Sequence, residues 1–252
     1  MRKQLSLFFC VISLSVITPV LAVDELVVSA AASLTEAFNE IKSEFEKENP
    51  NVRVVANYAA SGALFRQIQQ GAPVDVYASA NIDWMEELIN LKLVDSRDTA
   101  IFAHNDLVLA VSSANQLNIS NLHDLKNPEV RRIGIGDPAT VPAGQYAMRL
   151  LKNMGLWKDI EPKFIYGETV IQIVSYMRRN EVDAGFIFVS DLKRGGDEVF
   201  EIFRLSMQTR PTYPVAVLKQ SRNQELAQKF VDLVLSETGQ AIMEKHGFIR
   251  GR

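Results

Sequence analysis

Hydrophobic positions follow two periods along this chain, and the switch from one to the other recurs. The run Glu25-Leu26-Val27-Val28-Ser29-Ala30 is short, apolar and β-branched, as a buried strand requires, and Leu34, Phe38, Ile41 and Phe45 then recur on one helical face. Between the two lies Ala30-Ala31-Ala32-Ser33. A serine there, with Glu36 three positions on, predicts an N-cap closed into a capping box. The same place offers backbone amides and a hydroxyl at the positive end of a helix dipole, which suits an anion. Asn49-Pro50 stops the helix, 52–58 reads as a second strand, and Ala59-Ala60-Ser61-Gly62 repeats the event ahead of a helix over 63–70. Val74 to Ser79 predicts a third strand, and Asp83 to Leu91 an amphipathic helix with Trp84, Leu88 and Leu91 on one face.

A second set of the same kind follows. Strands are expected over 106–111, 133–136, 163–166 and 184–188, with helices from Pro142 to about Met154 and from the Gly167-Glu168-Thr169-Val170 opening to Arg179. Proline suits the first helical position, where its missing amide would be unpaired in any case. A late strand over 213–218 and helices over 223–235 and 238–246 complete the pattern. Strand and helix in alternation predict an α/β fold, with mostly parallel sheets flanked by helices and ligands beyond the carboxyl ends of the strands. No stretch rich in Gly, Pro or Ser separates the two sets, so ordinary strands join them. The expected crossing is near His104 and the return near Pro211, giving one lobe of 23–104 with 211–252 and a second of 105–210. Two lobes facing a cleft suit capture by closure.

Composition narrows what such a cleft can hold. Arg2 and Lys3, the apolar run Leu5 to Val20 and the small-residue site Pro19-Val20-Leu21-Ala22 predict a signal peptide over 1–22 and export, most simply to a periplasm. Removing 22 residues from 252 leaves 230, and loss of the two basic residues takes the formal charge from −3 to −5. That balance argues against nucleic acid or an anionic membrane as partner. Cys10 is the one cysteine and lies inside the signal, which excludes disulfides, thiolate catalysis and cysteine metal sites from the mature chain. No later apolar run approaches membrane-spanning length. His104, His123 and His246 lack the spacing of a metal site, and no G-x-S-x-G elbow, P-loop or complete dinucleotide fingerprint occurs. What remains is a set of uncharged donors at helix starts: Ser33, Ser61, and the amides near Ala143, Gly144 and Val170. These motifs carry no carboxylate to accept a proton from the ligand, so the best-suited anion is a fully deprotonated dianion.

The motifs Ala31-Ala32-Ser33-Leu34-Thr35, Tyr58-Ala59-Ala60-Ser61-Gly62-Ala63-Leu64, Gly136-Asp137-Pro138, Val141-Pro142-Ala143-Gly144-Gln145-Tyr146-Ala147 and Tyr213-Pro214-Val215-Ala216-Val217, in this order, resemble the periplasmic molybdate-binding proteins of molybdate ABC transporters. The resemblance implies a two-lobed periplasmic-binding-protein fold of the second type. It also implies an oxyanion in the cleft, held by two serines, two second-lobe amides and a tyrosine hydroxyl. Position by position, the serines fall on Ser33 and Ser61, the amides on Ala143 and Val170, and the tyrosine on Phe188. Phenylalanine keeps the ring and removes a donor, a loss of roughly one to two powers of ten in affinity unless water or another hydroxyl compensates; the bland reading of Phe188 is a core residue on a buried strand. The resemblance further implies molybdate as ligand with tungstate bound about as well, a membrane permease as partner, a monomer, no cofactor, no bound metal cation and no catalysis. Sulfate or an organic anion is the alternative ligand. A tetrapyrrole-assembling enzyme and a transcription-regulator effector domain share such a fold, but the mature chain lacks the former's cofactor-bearing cysteine and a signal stands where the latter's DNA-binding helices would be.

Overall fold

A computed structural model describes residues 24–207 and 209–251; the expected signal peptide and Cys10 lie outside the described residues. The chain opens with β1 (Asp24–Ala31), α1 (Thr35–Glu48), β2 (Val52–Ala59), α2 (Ser61–Gln69), β3 (Val76–Ala78), α3 (Ile82–Asn90) and β4 (Thr99–His104). It continues through β5 (Leu107–Ser112), β6 (Ile133–Gly136), α4 (Pro142–Asn153), α5 (Trp157–Ile160), β7 (Phe164–Gly167), α6 (Val170–Arg178), β8 (Ala184–Phe188), α7 (Val189–Gly195) and β9 (Val199–Arg204). It closes with β10 (Thr212–Val217), α8 (Gln224–Leu235), α9 (Glu237–Lys245) and β11 (Ile249–Arg250).

Two sheets result, one ordered β11-β4-β10-β3-β1-β2 and the other β7-β6-β8-β5-β9, flanked by helices. Both are mixed where mostly parallel sheets were expected. In the first, β1 runs parallel to β2 and β3, but β10 pairs antiparallel with β3 and β4. The reason is the route of the chain: β4 leaves this sheet, β10 brings the chain back, and the two lie side by side with opposite sense. Asn105 N–H donates to Pro211 C=O at 3.0 Å, tying the outgoing and returning segments together just where they leave the sheet.

Helix α1 forms because Ala37, Phe38, Ile41 and Phe45 share a face, and that face is buried. Phe45 meets Phe230 of α8 edge-on at 5.3 Å and Phe38 lies 5.7 Å from Phe102 of β4, so the C-terminal helices pack back on the first sheet. Strand β5 is buried at every residue, as the inner strand of a sheet covered on both faces must be. Strands β4, β9 and β11 and helices α5 and α7 were not expected from the sequence. In α3 the buried residues are Met85 and Leu88, and Leu91 is 44% exposed past the helix end, so the expected Trp84/Leu88/Leu91 face is turned by about a residue.

The register sets the site. Ala31 pairs with Ala59 and Ala30 with Ala78, so β1, β2 and β3 end level with one another and release their helices along one edge. Gly136 pairs with Gly167 in the second sheet, which brings the α4 and α6 starts together in the same way.

Candidate functional site

Between the two edges lies a small cavity, lined by Ala31, Ala32, Ser33, Ala59, Ala60, Ser61, Ala80, Val141, Pro142, Ala143, Val170 and Phe188. Ser33, Ser61, Ala143, Val170 and Phe188, singled out from the sequence, are thus brought to one place from segments as much as 155 residues apart. Among these lining residues none carries a charge. Ser61 is the first residue of α2, Ala143 the second of α4 and Val170 the first of α6. First-turn amides have no acceptor within their own helix, and they sit at the positive end of the dipole. Thr169 caps α6 by accepting from Gln172 N–H at 3.2 Å, two residues beyond Val170. Alanine dominates the walls, which lets backbone come close to whatever is bound.

The two hydroxyls are held differently. Ser61 Oγ accepts from Ala80 N–H at 3.0 Å, and Tyr77 Oη donates to the Ser61 carbonyl at 2.9 Å. An oxygen that has already accepted keeps its own proton to give, so Ser61 is a donor toward the cavity. Ser33 is not the N-cap expected from its sequence position. It lies within a 3₁₀ turn, Ala32–Leu34, inserted between β1 and α1, and its Oγ is 3.2 Å from Tyr213 Oη. The extra turn moves the helix start to Thr35, out of reach of the serine, and Glu36 pairs across the cleft with Arg194 at 3.0 Å in place of a capping box.

Phe188 ends β8 with its ring buried against Tyr146 and Tyr213, at centroid distances of 6.4 and 6.0 Å. It is a core residue that also lines the cavity. Its N–H donates to Asp191 Oδ2 at 3.1 Å. Asp191 is 1% exposed, and burial pushes its carboxyl up to about 7, only partly offset by the Phe188 amide and Arg194.

The sequence profile of the bacterial extracellular solute-binding proteins matches residues 26–249. The chain belongs to that family. The solute-binding protein is 32% identical over 254 residues to the molybdate-binding protein ModA of Escherichia coli, covering 98% of each chain. The solved periplasmic molybdate-binding protein of Azotobacter vinelandii superposes with a TM-score of 0.77 at 19% identity, covering 90% of this chain and all of that one. The sulfate-binding protein SubI of Mycobacterium tuberculosis gives 0.79 at 15% identity, covering 89% and 86%. At such identities the two structures establish the two-lobed fold and leave the ligand to the site.

The lobes of this solute-binding protein meet across the cleft. Gly62 N–H donates to Thr140 C=O at 3.0 Å and Asn81 Nδ2 to Gln145 Oε1 at 2.8 Å, while Arg149 pairs with Asp83. Among the described residues no cluster of His, Cys, Asp and Glu could hold a metal ion, and no helix is long and apolar enough to cross a membrane. Sequence reasoning assigned no role to Tyr213, Asn105 or Asp191, all buried polar groups beside the cavity. Tyr213 had a usable signal: a phenol in an otherwise apolar strand, Tyr213-Pro214-Val215-Ala216-Val217, must find a partner when buried.

Proposed function

We propose that this protein captures molybdate, and tungstate about equally, in the periplasm, and delivers it to the membrane permease of an ABC importer. The observation that carries the reading is an uncharged cavity where Ser33 and Ser61 meet the first turns of α2, α4 and α6. Such a site offers hydrogen-bond donors and no carboxylate to accept a proton, so it selects a compact, fully deprotonated dianion over hydrogen phosphate. The name of the full-length relative supports molybdate among such dianions. Capture is non-covalent and needs no cofactor: the lobes, 23–104 with 211–252 and 105–210, close on the anion as a monomer and present it to the permease. Tungstate follows molybdate because both are tetrahedral dianions of nearly equal size.

Calorimetry of the mature protein with molybdate, tungstate, sulfate and phosphate tests this. Binding of the first two and little heat from the others is expected; heat from sulfate alone would overturn the molybdate reading. Sulfate is the second reading because Phe188 removes a donor from the wall. Ser33→Ala and Ser61→Ala should each weaken molybdate by roughly ten- to a hundred-fold, the value of a hydrogen bond to a charged group. An unchanged constant for both would place the site elsewhere.

A further inference from the structure

The wall at Phe188 has a ring and no hydroxyl, and directly behind the cavity stands a buried hydroxyl that the lining does not include. Tyr213 is fully buried, with its ring 6.0 Å from that of Phe188 and its Oη 3.2 Å from Ser33 Oγ. Asn105 Nδ2 donates to Tyr213 Oη at 3.3 Å and to Ser190 Oγ at 2.8 Å. The direction of this chain is determined at its far end. Asn105 Oδ1 accepts from Asp106 N–H at 2.9 Å, which orients the amide so that its NH₂ faces the tyrosine. An amide nitrogen can only donate, so Tyr213 Oη accepts from it and has its own proton for Ser33 Oγ. Ser33 then accepts from Tyr213, and the serine proton is left for the cavity. Burial pushes the phenol well above its ordinary value, with the nearby Asp191 adding to the effect, so the proton that the chain needs stays on Tyr213.

We propose that Tyr213, oriented by Asn105, is a positioning residue for the bound oxyanion: it donates into Ser33 Oγ and commits the serine proton to the anion, working from behind the cavity where position 188 has no hydroxyl. The proposal rests on the oxyanion reading above. The arrangement parallels that of Ser61, whose Oγ is loaded in the same sense by the Ala80 amide. Both cavity hydroxyls are therefore supplied with a donor from behind, and each donor in such a chain polarises the next. Asn105 also donates its backbone N–H to Pro211 C=O where the chain crosses between sheets, so the chain's anchor lies at the joint between the lobes.

The test is a set of molybdate calorimetric titrations on the mature protein and on Tyr213→Phe, Ser33→Ala and the double variant. Tyr213→Phe keeps the buried ring and removes only the hydroxyl, and should weaken binding about ten-fold. In the Ser33→Ala background the same change should have little further effect, because the chain no longer ends on a donor. Equal losses in both backgrounds would mark a packing role and overturn the proposal, as would a Tyr213→Phe protein that binds like the parent. Asn105→Asp, which can keep the bond from Asp106 N–H but can only accept from Tyr213, reverses the chain. It should weaken binding more in the parent than in Ser33→Ala, and equal losses there also count against the proposal. If the unsubstituted protein binds none of the tetrahedral oxyanions, the oxyanion reading fails and takes this proposal with it. Binding that the variants leave intact removes this proposal alone.

Discussion

Asp191 has a carboxyl where the fold offers it almost no water. It is 1% exposed, its Oδ2 accepts from Phe188 N–H at 3.1 Å, and its Oδ1 has no hydrogen-bond partner among the described residues. Burial raises it from an ordinary 3.8 to about 7, against the smaller opposing effects of that amide and of Arg194. The sign follows from which state loses its proton first. Between about 4 and 7 the unfolded chain is ionised at this position and the folded chain is not, so stability falls as pH rises through that window and levels off above it. Asp191→Asn keeps an acceptor for the Phe188 amide and cannot ionise. It should gain on the parent by about 4 kcal/mol at most above pH 7, with the gap closing near pH 4. Thermal melts across pH 4 to 8 check this, and a gap that widened toward acid would refute it. A dianion behind the Phe188 wall adds negative charge near the same carboxyl, so affinity in the parent should fall as pH rises through about 7. The Asn variant should bind equally across that range. The sequence has no mark that sets Asp191 apart from the other carboxylates; only the packing around it reveals the cost of its charge.

At the level of elements, the site is made by how strands hand over to helices, and one glycine shows how tight that is. Gly62 is the second residue of α2, and a Cβ there would come within 2.9 Å of Thr140 Cα on the opposite lobe and 2.7 Å of the Trp84 ring. Side-chain rotation can relieve the tryptophan contact, but Thr140 backbone can move only if the cleft opens. Gly62→Ala should therefore leave the melting temperature of the ligand-free protein nearly unchanged and weaken molybdate about ten-fold or more; equal affinity would show that the 3.0 Å Gly62–Thr140 bond is not needed for capture. The handovers at Ser61, Ala143 and Val170 were legible because period 2 gives way to period 3.6 at small residues, and local chemistry decides such boundaries. Ser33 was legible as a residue of the cavity and misplaced as a cap, since a 3₁₀ turn has no apolar period to announce it. Strand β9 was hidden because it is a half-exposed edge with a mixed pattern, Val199-Phe200-Glu201-Ile202-Phe203-Arg204. Helix α7 follows β8 without a break and spans only seven residues, too few for a helical period to show. Antiparallel return strands depend on where the chain crosses between sheets, and no local window of sequence carries that.

For the molecule as a whole the question is what holds the lobes together. Among the described residues two ion pairs span the cleft, Arg149 with Asp83 and Arg194 with Glu36, beside the Asn81–Gln145 bond. The side chains of Arg149 and Asp83 are 51% and 38% exposed, and Glu36 is 58% exposed against the 21% of Arg194, so each pair has at least one well-solvated member and contributes about 0–1 kcal/mol. The cavity, by contrast, would place donors from both lobes on the proposed anion, at roughly 1.5 to 3 kcal/mol for each charge-assisted bond. If the anion is the principal tie between the lobes, Arg149→Ala combined with Arg194→Ala should weaken molybdate by less than about ten-fold, and the difference from the parent should shrink as salt is raised. Titrations at low and high ionic strength, with the radius of gyration followed by small-angle scattering, distinguish the two sources of closure. A loss well beyond a hundred-fold, with the double variant failing to compact when molybdate is added, would mean that the surface pairs and not the anion keep the cleft shut. A small loss with normal compaction assigns closure to the donors around the cavity, so that ligand charge and lobe position become one equilibrium.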